Sequence, residues 1–390
     1  MRNKMRLGDI ATLITKGTTP TSVGYTFTDT GVNFVKIESI REDGTFIPDK
    51  FAHISDECNT KLKRSQLQEN DILFSIAGAI GRTAIVTKDC LPANTNQALA
   101  IIRIPQGVID YRFLLYALQS DAIIEQAEKQ KQGVAQLNLS LQNINDFEIP
   151  FFTEEEQLTV VEVLSSVDSL LSTRIAQLEQ LDELVKSRFI ELFGDTILNP
   201  FGWEKDSLGT VCDVRDGTHD SPTYYEIGYP LVTSKNVTGG KIDLTDCSFI
   251  CEEDFNKINE RSKVDIGDII MPMIGTVGKP VIVDMEPNFA IKNVALIKFK
   301  ADSRVLNIYI RALLQSDYFD DVVLSKVRGG TQKFISLGDI RKLEILVPPM
   351  ELQNQFAAFV KQTDKSKLAV QQSIAELEEL KKSLMQKYFG

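Results

Sequence analysis

An α+β chain made of two tandem mostly-β domains, each followed by one long helix, is predicted by three observations. Sequence elements recur at a spacing of 196 or 197 residues. Short apolar runs alternate with Gly, Asn, Asp and Pro, the pattern of strands and turns. Two long segments carry apolar residues at alternating spacings of three and four, the pattern of extended helices. A chain of 390 residues, at about 100–200 per domain, accommodates two or three such bodies.

The repeat is sought first because missing it mis-assigns the fold. Ala77-Gly78-Ala79-Ile80-Gly81-Arg82 aligns with Ile274-Gly275-Thr276-Val277-Gly278-Lys279, and the Asp-Ile pairs Asp71-Ile72 and Asp268-Ile269 open the apolar runs before them. Leu118 to Asp121 matches Leu314 to Asp317, Gln136 to Ser140 matches Gln332 to Ser336, and Phe193-Gly194 matches Phe389-Gly390. The divisions expected are a first domain over 1–150, a long helix over 151–194, a second domain over 195–348 and a last helix over 349–390. Within the first domain, Val32 to Ile37, Ile72 to Ile76, Thr83 to Val86 and Ala98 to Ile104 read as strands. Tyr111 to Asp121, with its copy Asn307 to Asp317, has helical apolar spacing.

From Glu154 to Phe193 there is neither Pro nor Gly, and Leu164, Leu171, Leu178, Val185 and Leu192 recur every seven residues. From Glu351 to Phe389 the copy places Phe356, Val360, Val370, Ile374, Leu377, Leu384 and Tyr388 on one seam, interrupted by Thr363, Lys367 and Lys381. Helices of about 35 residues span roughly 50 Å and need a partner along that length. Residues 151–194 hold 3 basic against 9 acidic side chains and residues 349–390 hold 6 against 5, a balance that favours an antiparallel coiled coil between the two. That pairing implies a pseudo-twofold rod with one domain at each end. The plainer alternative is that each helix packs only on its own domain.

Composition narrows the function. No run approaches the ~18 apolar residues of a spanning helix, and Met1 to Asp9 lacks an apolar leader core, so no membrane association and a cytoplasmic location are expected. Five cysteines without a secretory signal read as reduced thiols. The net charge of −11 argues against coating nucleic acid by charge alone. His53 and His219, the only histidines, occupy non-equivalent positions, so no His-based catalysis is duplicated. Cys247 and Cys251 have no second pair to complete a zinc site. Gly275 to Pro280 has the wrong spacing for a phosphate loop and reads as a turn. Val347-Pro348-Pro349-Met350 is a helix start rather than an amino-methyltransferase motif. Binding is favoured over catalysis, with no catalytic or metal-binding residue.

The pattern resembles the specificity subunits of type I restriction-modification systems, over essentially the whole chain. The resemblance rests on the alternation of two recognition domains with two long helices. Local matches are Asp216 to His219, Pro230 to Asn236, Asp268 to Lys279, Gly329 to Ser336, and Pro348-Pro349 leading to Gln353. Their first-copy counterparts are Lys16 to Pro20, Val32 to Ser39, Asp71 to Arg82, Gly133 to Ser140 and Glu156-Gln157. Departures are Phe151-Phe152 in place of Pro-Pro and a first Gly-Thr loop without His.

The resemblance implies a non-catalytic DNA reader. Each domain would read one half of a bipartite, asymmetric double-stranded site. The helices would set the gap and dock two methyltransferase subunits, and restriction-translocation subunits would join later. S-adenosylmethionine, ATP and magnesium would belong to those partners, with no cofactor in this chain. Candidate DNA-binding residues are polar groups on loops between strands: Thr18, Thr19, Lys36, Ser39, Arg82 and Gln136 in the first domain. In the second they are Thr218, His219, Ser234, Lys235, Asn236, Lys279, Gln332 and Lys333. Arg and Lys suit guanine O6/N7, and Asn and Gln suit adenine N6/N7. On the helices, Leu171, Leu178, Leu184, Phe189, Leu192, Ile374, Leu377 and Leu384 are the expected partner-binding positions, since the apolar seams exceed what one antiparallel pair can bury if Leu184, Phe189 and Leu192 also face outward. A stand-alone DNA-binding regulator is the main rival, set apart by tight binding without a partner. A purely structural coiled-coil adaptor is a weaker one, since it needs no repeated polar loops.

Overall fold

A strand is stable only when its neighbours satisfy its backbone, and the apolar runs of each copy find those neighbours in a conserved order. The computed structural model describes residues 3–130, 138–274, 277–327 and 334–390. Its contacts divide the chain into two units, residues 1–174 with 373–390 and residues 175–372, so each long helix contributes one half to either unit.

In the first unit an antiparallel sheet runs Leu13–Lys16, Leu99–Arg103, Ile72–Ser75, Thr83–Ile85. A second sheet runs Ala52–Ile54, Val32–Val35, Ala93–Thr95, with the last pair parallel. The second unit repeats both: Asp213–Asp216, Val294–Lys298, Ile269–Pro272, Val281–Ile282, and then Ser248–Ile250, Tyr229–Val232, Ala290–Ile291. All four predicted first-domain strands form, trimmed by one or two residues at their ends.

The repeated Asp-Ile pair has a structural cause. Asp71, 1% exposed, accepts two bonds of 2.7 Å from the Arg103 guanidinium and a third from the Gln68 amide, so its charge is paired where burial would otherwise penalise it. Its copy Asp268 takes the same place with Lys298 Nζ at 2.5 Å and the Asp265 amide at 2.8 Å.

Helices α1 (Tyr111–Gln119), α2 (Glu154–Phe193), α3 (Glu252–Ser262), α4 (Asn307–Leu313) and α5 (Met350–Phe389) cover the sheets or extend from them. Asp110 caps α1 by accepting from the amides of Arg112 and Phe113, and Thr153 with Glu156 forms a reciprocal cap at the start of α2. Pro348-Pro349 immediately precedes α5, as the sequence predicts.

α2 and α5 pair antiparallel. In the first unit Lys381 meets Asp168 at 2.7 Å, and Phe389 packs on Phe113 and Phe152. In the second Lys367 meets Asp182 at 2.5 Å, and Phe356 packs edge-on against Phe189 and Phe193. The lysines that interrupt the seam are therefore interhelical ion pairs. The outward placement of Phe189 and Leu192 is corrected here. Phe189 is buried and stacks on Tyr309, and Leu192 packs half-buried against the same core, because the β domain covers that turn of the helix. Leu184 is exposed as expected, while Leu171, Leu178, Ile374, Leu377 and Leu384 are half-buried.

Buried glutamines tie each long helix to its β domain. Gln157 accepts from the Asp110 amide and donates to the Phe152 carbonyl, both at 2.9 Å. Gln353 accepts from the Leu306 amide at 2.8 Å and donates to the carbonyls of Pro348 and Arg304. The five cysteines are free thiols, and burial pushes Cys212 up to about 12. Among the described residues no helix is long and apolar enough to cross a membrane.

Candidate functional site

In each unit the Gly-Thr loop is brought against the segment that follows a neighbouring strand, and a glycine makes the meeting possible. A Cβ on Gly17 would stand 1.9 Å from the Thr95 carbonyl oxygen, and one on Gly217 would stand 2.4 Å from that of Ile291. No side chain fits such a gap, so Gly lets two backbones touch. The amides of Thr18 and Thr218 then donate to the same two carbonyls, at 3.2 and 3.0 Å. Thr95 Oγ1 donates to the Val35 carbonyl at 2.8 Å, and the Lys292 amide donates to that of Val232 at 2.9 Å, which brings in the neighbouring loop.

On this shared frame the side chains differ. Thr19 donates its hydroxyl to Gln97 Oε1 in the first unit. In the equivalent place of the second, His219 Nδ1 lies 2.8 Å from Asn293 Oδ1 and its Nε2 lies 2.8 Å from Asp216 Oδ2. The Asn293 and Asp216 bonds raise the His219 pKa, against burial and the Arg261 charge, which itself pairs with the other Asp216 oxygen. Asn96 is replaced by Lys292, a buried ammonium that donates to Ser221 Oγ at 2.8 Å and lies 3.5 Å from Tyr224 Oη. A cavity of about 370 Å³ opens beside His219, between its loop and α3.

The predicted residues fall into three groups. Thr18, Thr19, Thr218 and His219 lie at this loop contact, and Lys36 reaches over the Phe27 ring at 4.4 Å. Lys235 and Lys279 are exposed, and Ser234 is half-buried with no hydrogen-bond partner for its hydroxyl oxygen among the described residues. The second group turns inward, and here the expectation of outward-facing side chains is corrected. Ser39 is fully buried and donates to the Lys50 carbonyl at 2.9 Å, while Asn236, also buried, accepts from the Thr233 amide and donates to the Asp246 carbonyl. Both spend their polar atoms closing a short 3-10 turn. Arg82 is likewise committed, donating to the carbonyls of Ile37 and Ile40. The third group, Gln136, Gln332 and Lys333, lies outside the described residues.

Sequence reasoning missed Gln97, Lys292 and Asn293. The available signal was their position: in both copies a short polar stretch, Asn96-Gln97 or Lys292-Asn293, separates two strands. Asn293 sits at φ +56°, a backbone state that Asn tolerates better than most residues.

Two copies of one α+β unit, each with a polar loop cluster on the same frame but with different side chains, define a tandem protein built for two related and chemically distinct surfaces. The chain belongs to the type I restriction modification DNA specificity domain family, whose model matches residues 2–180 and 200–379. It is 26% identical over 361 residues to the type I restriction enzyme MjaIX specificity subunit of Methanocaldococcus jannaschii, covering 85% of this chain and 78% of that one. It is 24% identical to the MjaVIII specificity subunit of the same organism, covering 98% and 90%. The EcoKI specificity subunit of Escherichia coli is 21% identical, over 73% and 66%. In fold it is similar to a chain solved in work on complex assembly and conformational transition of the type I R-M system, with a TM-score of 0.61, 20% identity and coverage of 99% and 97%. It is also similar to the S subunit from M. genitalium, with a TM-score of 0.55, 16% identity and coverage of 100% and 96%.

Proposed function

We propose that each unit reads one half of a bipartite, asymmetric DNA site, that the paired helices set the unread gap, and that the chain does no chemistry itself. The observation that carries this is the substitution pattern on a constant frame: Thr19 with Gln97 and Asn96 in one unit, His219 with Asn293 and Lys292 in the other. Equal frames offer equivalent surfaces to two half-sites, and unequal side chains select different bases. The acidic balance of the chain is compatible with phosphate contacts made mostly by partners. Those partners are two methyltransferase subunits docked along the helices, where Leu184 is exposed, with restriction-translocation subunits added to them. S-adenosylmethionine, ATP and magnesium are assigned to the partners, and the assembly is assigned to the cytoplasm.

The test is a domain exchange. Replacing residues 1–150 by the corresponding domain of a relative, followed by mapping of methylated sites in cells, changes one half-site and leaves the other unchanged. Simultaneous change of both halves overturns the reading.

A further inference from the structure

Gln97 and Asn293 stand at equivalent positions, and each amide is gripped by its oxygen. Thr19 donates to Gln97 Oε1, and His219 Nδ1 stands at Asn293 Oδ1. Neither Gln97 Nε2 nor Asn293 Nδ2 has a hydrogen-bond partner among the described residues, and Gln97 is exposed while Asn293 is half-buried. We propose that Asn293 is a specificity-determining residue of the second unit, and that His219 is a positioning residue that chooses which end of the Asn293 amide faces the DNA, reversing its choice when it loses a proton. This rests on the DNA-reading function proposed above.

The argument is one of donor and acceptor count. Both neighbours of the His219 ring are oxygen atoms, Asn293 Oδ1 and Asp216 Oδ2, each at 2.8 Å. Only the imidazolium has N–H groups for both. In that state the Asn293 oxygen is occupied and its NH2, without a partner among the described residues, is left to donate, a group suited to guanine O6/N7 or thymine O4. When one proton passes from Nδ1 to solvent, the Nε2–H stays on the Asp216 carboxylate, which can only accept. Nδ1 then becomes an acceptor. Asn293 turns about its Cβ–Cγ bond, donates Nδ2–H to Nδ1, and presents Oδ1, an acceptor suited to cytosine N4 or adenine N6. The Thr19 hydroxyl beside Gln97 does not titrate in this range and can donate or accept, so the first unit has no proton-coupled reversal of this kind.

The charged groups facing His219 set where the change occurs. Asp216 comes from the strand beneath, and Arg261 from α3 shares that carboxylate. Asp220 in the same loop, and Asp254 and Lys257 from α3, line the adjoining cavity. Lys292, next to Asn293, is turned toward Ser221 and Tyr224. The carboxylate and amide oxygens in direct contact favour the charged ring, and Arg261 opposes it.

The experiment has two readings on the full chain. With only two histidines, selective ¹⁵N-histidine labelling gives two imidazoles, and His53→Gln identifies the His219 signal. Its midpoint is expected above the ordinary value of about 6.5. Bound duplexes are then selected from a randomised pool, one pH unit below and one above that midpoint, with a methyltransferase partner present. The expected result is a change of preferred base at one position of one half-site, with the preference ratio moving about fivefold or more. The other half-site stays constant, and Asn293→Asp selects the high-pH base at both pH values. An identical sequence selected by the wild-type chain at both pH values, or a midpoint at or below the ordinary one, overturns the proposal. Selection of no sequence at either pH overturns the DNA-reading function beneath it instead.

Discussion

Replacing Gln353 by Leu tests whether the glutamine at the root of each long helix holds helix and β domain together. The side chain is fully buried, and leucine is close to it in volume, so the substitution removes hydrogen bonds while leaving little cavity. Three bonds go: Oε1 from the Leu306 amide at 2.8 Å, and Nε2 to the carbonyls of Pro348 at 2.8 Å and Arg304 at 3.0 Å. An orphaned buried amide costs about 1–3 kcal/mol, and each carbonyl that loses a donor costs about 1. Burial of the added apolar surface returns about 1 kcal/mol. The net loss is about 3 kcal/mol, which lowers Tm by roughly 6–12 °C for a unit of this size. Gln157 makes two such bonds, to the Asp110 amide and the Phe152 carbonyl, so Gln157→Leu is expected to cost less, about 2 kcal/mol. Urea titration followed by circular dichroism, with calorimetry for Tm, measures both. A Gln353→Leu cost below about 1 kcal/mol, or a larger cost for Gln157→Leu, would refute the reasoning.

Leu184→Lys alters an exposed position, so folding stability is expected to stay within about 0.5 kcal/mol of wild type while co-purification of a methyltransferase subunit falls; retained assembly removes Leu184 from the docking surface. Gly217→Ala places a methyl group 2.4 Å from the Ile291 oxygen and is expected to displace the His219 loop, abolishing selection at one half-site in methylation mapping; an unchanged recognition sequence would show that the loop does not read DNA. His219 has a raised folded pKa, so its contribution to stability is fully present below the unfolded value near 6.5 and is lost as pH rises through the higher folded value. Denaturation across that window is expected to show falling stability, a slope that His219→Gln removes; an equal slope in the variant assigns it to other groups.

The architecture was legible because it is written in local, repeated signals. Heptad leucines, the absence of Pro and Gly between Glu154 and Phe193, and the Asp-Ile pairs at a fixed spacing depend on period and backbone chemistry, which a single chain displays. Burial is a different matter, since it depends on what packs from elsewhere. Phe189 and Leu184 both belong to the apolar pattern of one helix, yet one is inside an aromatic cluster and the other faces outward, because the covering residues Tyr309 and Phe356 come from more than a hundred residues away.

The same reason separates the candidate residues. Ser39 and Asn236 have the composition of readers and turn inward to close their own loops, a choice made by the carbonyls of Lys50 and Asp246. Gln97 and Asn293 have no motif of their own and acquire meaning only from the Thr19 hydroxyl and the His219 ring brought against them by strand pairing. The sequence by itself determined the duplication, the helices and which loops carry polar residues, since these follow from periodicity and backbone geometry. The tertiary structure alone decided which polar atoms are spent internally and which remain to be offered, because a hydrogen bond is a property of two groups that the chain order keeps far apart.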